Sequence, residues 1–224
     1  MIDHKIFRLI SAPMLGMALI LPTVSMTGCA TASYAVKERF GIEKRDILAA
    51  RVEDAAKAQN AAKKEFTDAL DAFRAVVNVD GGELEKKYDK LRGAYDDAND
   101  RANKARDRVS AVKTVARDLF KEWERELKDF SDPALRRASE RQLEETRARY
   151  TILRGKMEAA TDSMDPVLAV FKDRVLYLKH NLNARSIAAL DGETALLERD
   201  VSRLIADMEQ SIAAADEFIK QMDG

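Results

Sequence analysis

Residues 84–123 read LEKKYDKLRGAYDDANDRANKARDRVSAVKTVARDLFKEW, and their spacing decides the fold class. Leu84, Tyr88, Leu91, Tyr95, Ala98, Ala102, Ala105, Val109, Val112, Ala116, Leu119 and Trp123 follow one another in alternating steps of four and three. Such a step returns to the same face of a helix every two turns, whereas a strand alternates faces every two residues. The segment predicts one unbroken helix that runs on to residue 130.

The same rhythm extends in both directions. On the N-terminal side it passes through Leu48, Val52, Ala55, Gln59, Ala62, Phe66, Ala69, Phe73 and Val76, which predicts a helix over residues 34–78. Asp80-Gly81-Gly82 separates the two, because adjacent glycines reach left-handed torsions at little steric cost. On the C-terminal side, Ser131-Asp132-Pro133 marks a boundary: Ser or Asp can cap exposed amides, and Pro suits a first helical turn.

A third helix carries Tyr150, Leu153, Met157, Ala160, Met164, Val167, Phe171, Val175 and Leu178. Pro166 within it predicts a kink after Met164, or a short break capped by Asp165. A fourth stripe, Ile187, Leu190, Thr194, Leu197, Val201, Leu204, Met208, Ser211, Ala215, Phe218 and Met222, is out of phase with the third. A turn at His180-Asn181-Leu182-Asn183 accounts for the slip, and Asp191-Gly192 is the rival site. The stripe crosses Asp191-Gly192 in phase, so the earlier turn is preferred and Gly192 is expected inside the helix.

Four helices of about 45 residues, each roughly 65 Å long, predict an all-α protein. The expected form is an elongated antiparallel up-and-down four-helix bundle with coiled-coil heptad packing. Composition agrees: 34 % charged residues, 6 % aromatics, 9 Gly and 4 Pro suit long solvated helices and disfavour turn-rich sheets. The 38 basic residues balance 39 acidic ones, so no surface built to neutralise nucleic-acid phosphates is expected.

The N-terminus differs from the rest. Lys5 and Arg8 precede a stretch without charge that ends at Cys29, the chain's one cysteine. That is the pattern of an export signal. A transmembrane anchor needs about 20 unbroken apolar residues; residues 9–24 are fewer and include Pro13, Gly16 and Pro22. Met26-Thr27-Gly28-Cys29 resembles the bacterial lipobox, with Met26 in place of the usual Leu. The resemblance implies cleavage before Cys29, acyl chains on Cys29, and attachment to a membrane through them. Ala30, where Asp would favour the inner membrane, implies the outer membrane facing the periplasm. The expected organisation is a cleaved signal peptide over residues 1–28, lipidated Cys29 with a short tether to residue 33, and a helical domain over 34–224.

Convergent chemistry is sparse. After cleavage His180 is the one histidine, so nucleophile–histidine catalysis has no place away from it and a His/Cys zinc site cannot be assembled. A turn or capping role fits His180 better. Gly81, Gly82 and Gly192 form no phosphate-binding pattern, and the Glu-x-x-His signature of metal-binding bundles does not occur. Residues 136–149 are densely charged, but Arg136–Glu140, Arg141–Glu145 and Glu145–Arg149 are opposite charges one turn apart, as on a solvated helix. Tyr88, Tyr95 and Trp123 lie on an apolar stripe, which favours core packing over a ligand cage. No catalytic residue, metal or cofactor is expected.

Thr27-Gly28-Cys29-Ala30-Thr31-Ala32, residues 41–48 and 79–88, and Leu178-Lys179-His180-Asn181-Leu182-Asn183-Ala184-Arg185 are similar to a family of Gram-negative envelope lipoproteins described as a domain of unknown function. The resemblance covers the mature chain and implies location and a long helical domain, without an activity. The expected role is non-enzymatic: a lipid-anchored rod acting as scaffold or adaptor for another envelope protein. The alternative is a periplasmic carrier for a lipid or other apolar ligand. The short tether puts one rod end and the C-terminus near the membrane, and the Gly81-Gly82 turn at the far end.

Overall fold

A computed structural model describes residues 44–78 and 83–223. Among them every regular element is a helix: α1 (Lys44–Val77), α2 (Leu84–Glu126), α3 (Pro133–Asp162), α4 (Met164–His180), α5 (Ala184–Asp191) and α6 (Thr194–Asp223). The expected start of the first helix, over residues 34–43, and the Gly81-Gly82 turn lie outside the described residues.

The boundaries have local causes. Asp132 is extended and its Oδ1 accepts from the amides of Ala134, at 2.7 Å, and Leu135, at 3.3 Å. Two amides that begin α3 are thereby satisfied, and Pro133 fills the first position, where a missing N–H removes nothing. At the other end of α4, the Asn181 amide donates to the Leu178 carbonyl and its Nδ2 to the Tyr177 carbonyl. Asn183 then caps α5 through Oδ1, which accepts from the Ser186 amide at 3.1 Å.

Two expectations need correction. The interruption near Pro166 falls earlier than Met164 or Asp165: α3 ends at Asp162, α4 begins at Met164, and Asp165 sits in its first turn. The reason is steric, since a proline ring collides with the carbonyl four residues before it, here that of Asp162. Ser163 keeps right-handed torsions, φ −67° and ψ −16°, so the chain continues in nearly the same direction. Gly192, expected inside a helix, instead separates α5 from α6. It too stays right-handed, and the Glu193 amide closes a tight turn on Leu190. Glycine is about 1 kcal/mol poorer than alanine in a helix. Here Glu193, just beyond the glycine, is tied to Arg174 of α4.

Side-chain pairs fix which helices are neighbours. Partner numbers on α2 fall as those on α1 rise: Lys44 meets Glu122 at 2.7 Å and Glu65 meets Arg101 at 3.8 Å. The same holds for α1 with α6, through Lys63–Glu209 at 3.3 Å and Arg74–Glu198 at 2.7 Å. It holds again for α2 with α3 and α4, through Arg147–Glu124, Lys113–Glu158 and Arg106–Asp165. Lys156 reaches Gln210, and Ser163 Oγ lies 2.8 Å from Asp207 Oδ2, which sets α3 beside α6.

The stripes line the interior of this helical bundle. Every member of the first, from Leu48 to Val76, has 0 % of its surface exposed, Gln59 included. The apolar core falls into two clusters. One holds Phe66, Phe73, Leu91, Phe171, Leu178 and Leu204; the other holds Leu48, Val112, Phe120, Tyr150, Leu153 and Phe218. Gln59 belongs to neither.

Candidate functional site

Where α2 and α3 run side by side, polar side chains span the space between them. Trp123 Nε1 donates to Ser139 Oγ at 2.8 Å, and Arg147 and Lys113 make the ion pairs given above. A groove of about 690 Å³ results, of a size that holds a ligand or a partner's side chains. Its α2 wall presents Lys113, Arg117 and Lys121, spaced by four residues and therefore stacked one turn apart. Its α3 wall presents Arg147 and Arg154 on either side of Thr151.

The floor is aromatic. The Phe120 and Tyr150 rings meet edge to face with centroids 5.4 Å apart, and Tyr150 makes a similar contact with Phe218 at 6.4 Å. The Arg147 guanidinium lies 5.2 Å from the centre of the Phe120 ring, within the range of a cation–π attraction. Burial pushes the Tyr150 phenol above its usual value; Arg154 opposes the shift and Glu158 adds to it.

Charge in the groove is unevenly compensated. Five cations face three carboxylates: Glu124 on Arg147, Asp118 on Arg117, and Glu158 shared by Lys113 and Arg154. Lys121 is exposed and forms no ion pair among the described residues. The arrangement can hold an anion that lies along the helices and touches several cations in turn.

The other residues singled out in the sequence do not join this site. Cys29 and the lipobox residues Met26, Thr27 and Gly28 lie outside the described residues. His180 is exposed at the last position of α4. No group of three or more His, Cys, Asp or Glu poised for a metal occurs among the described residues. Nor is any described helix long and apolar enough to cross a membrane. Tyr88 is buried, Tyr95 and Trp123 partly so, as packing residues.

Of the pairs expected on the charged stretch, Arg136–Glu140 forms at 2.9 Å, whereas Arg141 and Arg149 make no ion pair among the described residues. Arg147, in the same stretch, turns inward over Phe120. Nothing in the sequence names its partner, since Phe120 and Glu124 belong to another helix. The four-residue spacing of Lys113, Arg117 and Lys121 was the one legible trace of the groove.

No curated protein and no solved structure matches the chain. A family model does, over residues 33–222, which takes in all six described helices almost to the end. The chain therefore belongs to the family described as proteins of unknown function, DUF2959.

Proposed function

We propose that this protein is a non-enzymatic, lipid-anchored component of the cell envelope, whose helices form an elongated antiparallel up-and-down bundle with heptad packing and serve as a scaffold or adaptor. The opposed order of partners along α1–α2, α1–α6, α2–α3 and α3–α6 supports four runs of alternating direction, with α3 and α4 making one run and α5 and α6 another. The alternating steps of four and three, buried along each run, support heptad packing.

The observation that carries the reading is the meeting of chain segments at one end. Arg45 donates to the Met222 carbonyl and Lys44 pairs with Glu122, so the start of α1, the end of α2 and the end of α6 lie together. Cys29 precedes Lys44 by 15 residues, a length that spans at most roughly 50 Å when fully extended. An acyl anchor on Cys29 therefore holds this end towards the membrane and directs the opposite end, where α1 finishes and α2 begins, away from it. Ala30 favours the outer membrane, with the rod in the periplasm. Several acyl chains, at about 0.8 kcal/mol per buried methylene, give lasting attachment.

Metabolic labelling with a clickable fatty acid tests the anchor. The wild type should incorporate label and partition into membranes, and Cys29→Ser should do neither. Equal labelling of both chains refutes lipidation at Cys29. In-cell crosslinking from positions on α2 and α3 tests the adaptor role, which fails if no envelope protein is recovered while the chain is abundant.

A further inference from the structure

We propose that the groove between α2 and α3 is a docking site for an acidic helix of a partner protein. The inference rests on the adaptor reading above but not on the lipid anchor. Lys113, Arg117 and Lys121 span eight residues of α2, about 12 Å, with one cation every 6 Å or so. Glutamates placed every fourth residue along a helix repeat at the same interval, so one ridge of carboxylates can meet the whole row. Arg147 and Arg154 supply a second row on the facing wall. A helix lying along the groove, over the ion pairs that join α2 and α3, thus has cations on both sides.

The excess of cations selects the sign of the partner. Among the described residues Lys121 has no carboxylate to leave, and the single negative charge of Glu158 is divided between Lys113, on Oε1 at 2.7 Å, and Arg154, on Oε2 at 3.7 Å. An incoming carboxylate row therefore gains contacts without first displacing a full set of internal pairs. The site also runs along the helices. That geometry suits a rod-like polyanion better than a single compact phosphate, which would engage one or two of the five cations. A membrane surface is flat and can meet the row only if the whole rod lies down on it. The Phe120 and Tyr150 rings, each under a tenth exposed, form a firm floor rather than a deep apolar pocket. Charge, not buried apolar area, supplies the attraction, which makes the association sensitive to salt.

The test uses the full chain purified in detergent micelles and a labelled alanine-based helical peptide with Glu at every fourth position. Fluorescence anisotropy should show binding of the Glu peptide, loss of binding for its Gln counterpart, and several-fold weakening as salt rises from low to physiological strength. The double change Arg117→Glu with Lys121→Glu should weaken binding about tenfold or more. Lys57→Glu, an exposed reversal on α1, should leave it unchanged. Circular dichroism checks folding of each variant, and Arg117→Gln with Lys121→Gln replaces the reversal if that variant unfolds. The Cys29→Ser chain should bind the peptide as the wild type does, so failure of the anchor and failure of the groove are separate results. Equal affinity for Glu and Gln peptides overturns the proposal. So does binding of phosphatidylglycerol vesicles, but not the peptide, in a manner lost in the double variant. Self-association of the chain through these same residues, without peptide binding, also overturns it.

Discussion

Replacing Gln59 by Met should raise stability. Gln59 is fully buried between the two apolar clusters. Its Nε2 reaches the Met157 carbonyl at 3.4 Å, well beyond the usual 2.9–3.0 Å of an N–H···O bond, and its Oε1 has no partner. A buried polar atom left unpaired costs about 1–3 kcal/mol, and the long bond on the other side of the amide returns less than about 1 kcal/mol. Methionine is close to Gln in length and shape, so the exchange removes the unpaired oxygen while opening little space. The expected net gain is about 1–2 kcal/mol. For a domain of this size each kcal/mol moves Tm by about 2–4 °C, which gives a rise of roughly 2–8 °C.

Thermal and urea unfolding followed by circular dichroism measure that gain. Ser211 provides an internal control, because its buried Oγ is likewise unpartnered. The Lys63–Glu209 pair places it within about a turn of Gln59. Ser211→Ala alone should be neutral or slightly stabilising, and the two changes should add. A Gln59→Met chain that loses 1 kcal/mol or more refutes the reasoning, since it means that the amide is satisfied in the native state. Strong non-additivity with Ser211→Ala would identify Ser211 as the missing partner.

Two further outcomes follow from individual contacts. Asp132→Ala removes the acceptor for the amides of Ala134 and Leu135, should cost about 1 kcal/mol, and should speed hydrogen exchange at those two amides ahead of the rest of α3. The Tyr150 phenol is held above its ordinary value by burial, so the folded state favours its neutral form. Unfolded chains release that proton once pH passes about 10, which means stability is intact below that point and declines as pH rises through the folded value. Tyr150→Phe should lessen the alkaline loss and remove a late-titrating phenol from the absorbance titration, in which Tyr95, raised by burial and by Asp96, remains a second late component; loss of an early-titrating phenol in Tyr150→Phe contradicts the burial of Tyr150.

Legibility in the sequence followed the range of the interactions. Helix existence was plain because the stripe Leu48, Val52, Ala55 and onward has the period of the element that buries it, and every one of those side chains is enclosed. The Asp132 cap was plain for the same reason: its carboxylate acts on amides two and three residues away. Pro166 announced a break but not its site, because the clash falls on the carbonyl of Asp162 and the helix gives way there. Gly192 was harder still. An in-phase stripe continues across it, yet Glu193 is held by Arg174 from a different helix. The groove was the least legible feature: Arg147 reads as one more surface charge until Phe120 and Glu124 are set opposite it.

The division of the core raises the question of whether the helical bundle unfolds in halves. Phe66 lies in the cluster towards the end of the bundle where α1 finishes and Leu153 in the cluster towards the end where α1 starts. Each is buried to within 1 %. Phe66→Ala should cost about 3–5 kcal/mol and Leu153→Ala about 2–5 kcal/mol, including the cavity left behind. If the clusters were independent, each change would melt its own half, and two transitions would separate. Against that stand α1, α2 and α6, which pass unbroken from one cluster to the other over 34, 43 and 30 residues. Melting one half would fray three helices in mid-length, leave four unpaired backbone groups at each new end, and expose the apolar face at the junction. The expected result is therefore one transition for either variant, with the same midpoint whether followed by far-ultraviolet dichroism or by the fluorescence of Trp123, which packs on the cluster holding Leu153. In Phe66→Ala, a helical signal that falls well before the Trp123 signal refutes this account. It would mean that Gln59 marks a joint in the bundle rather than a single misfit within a continuous core.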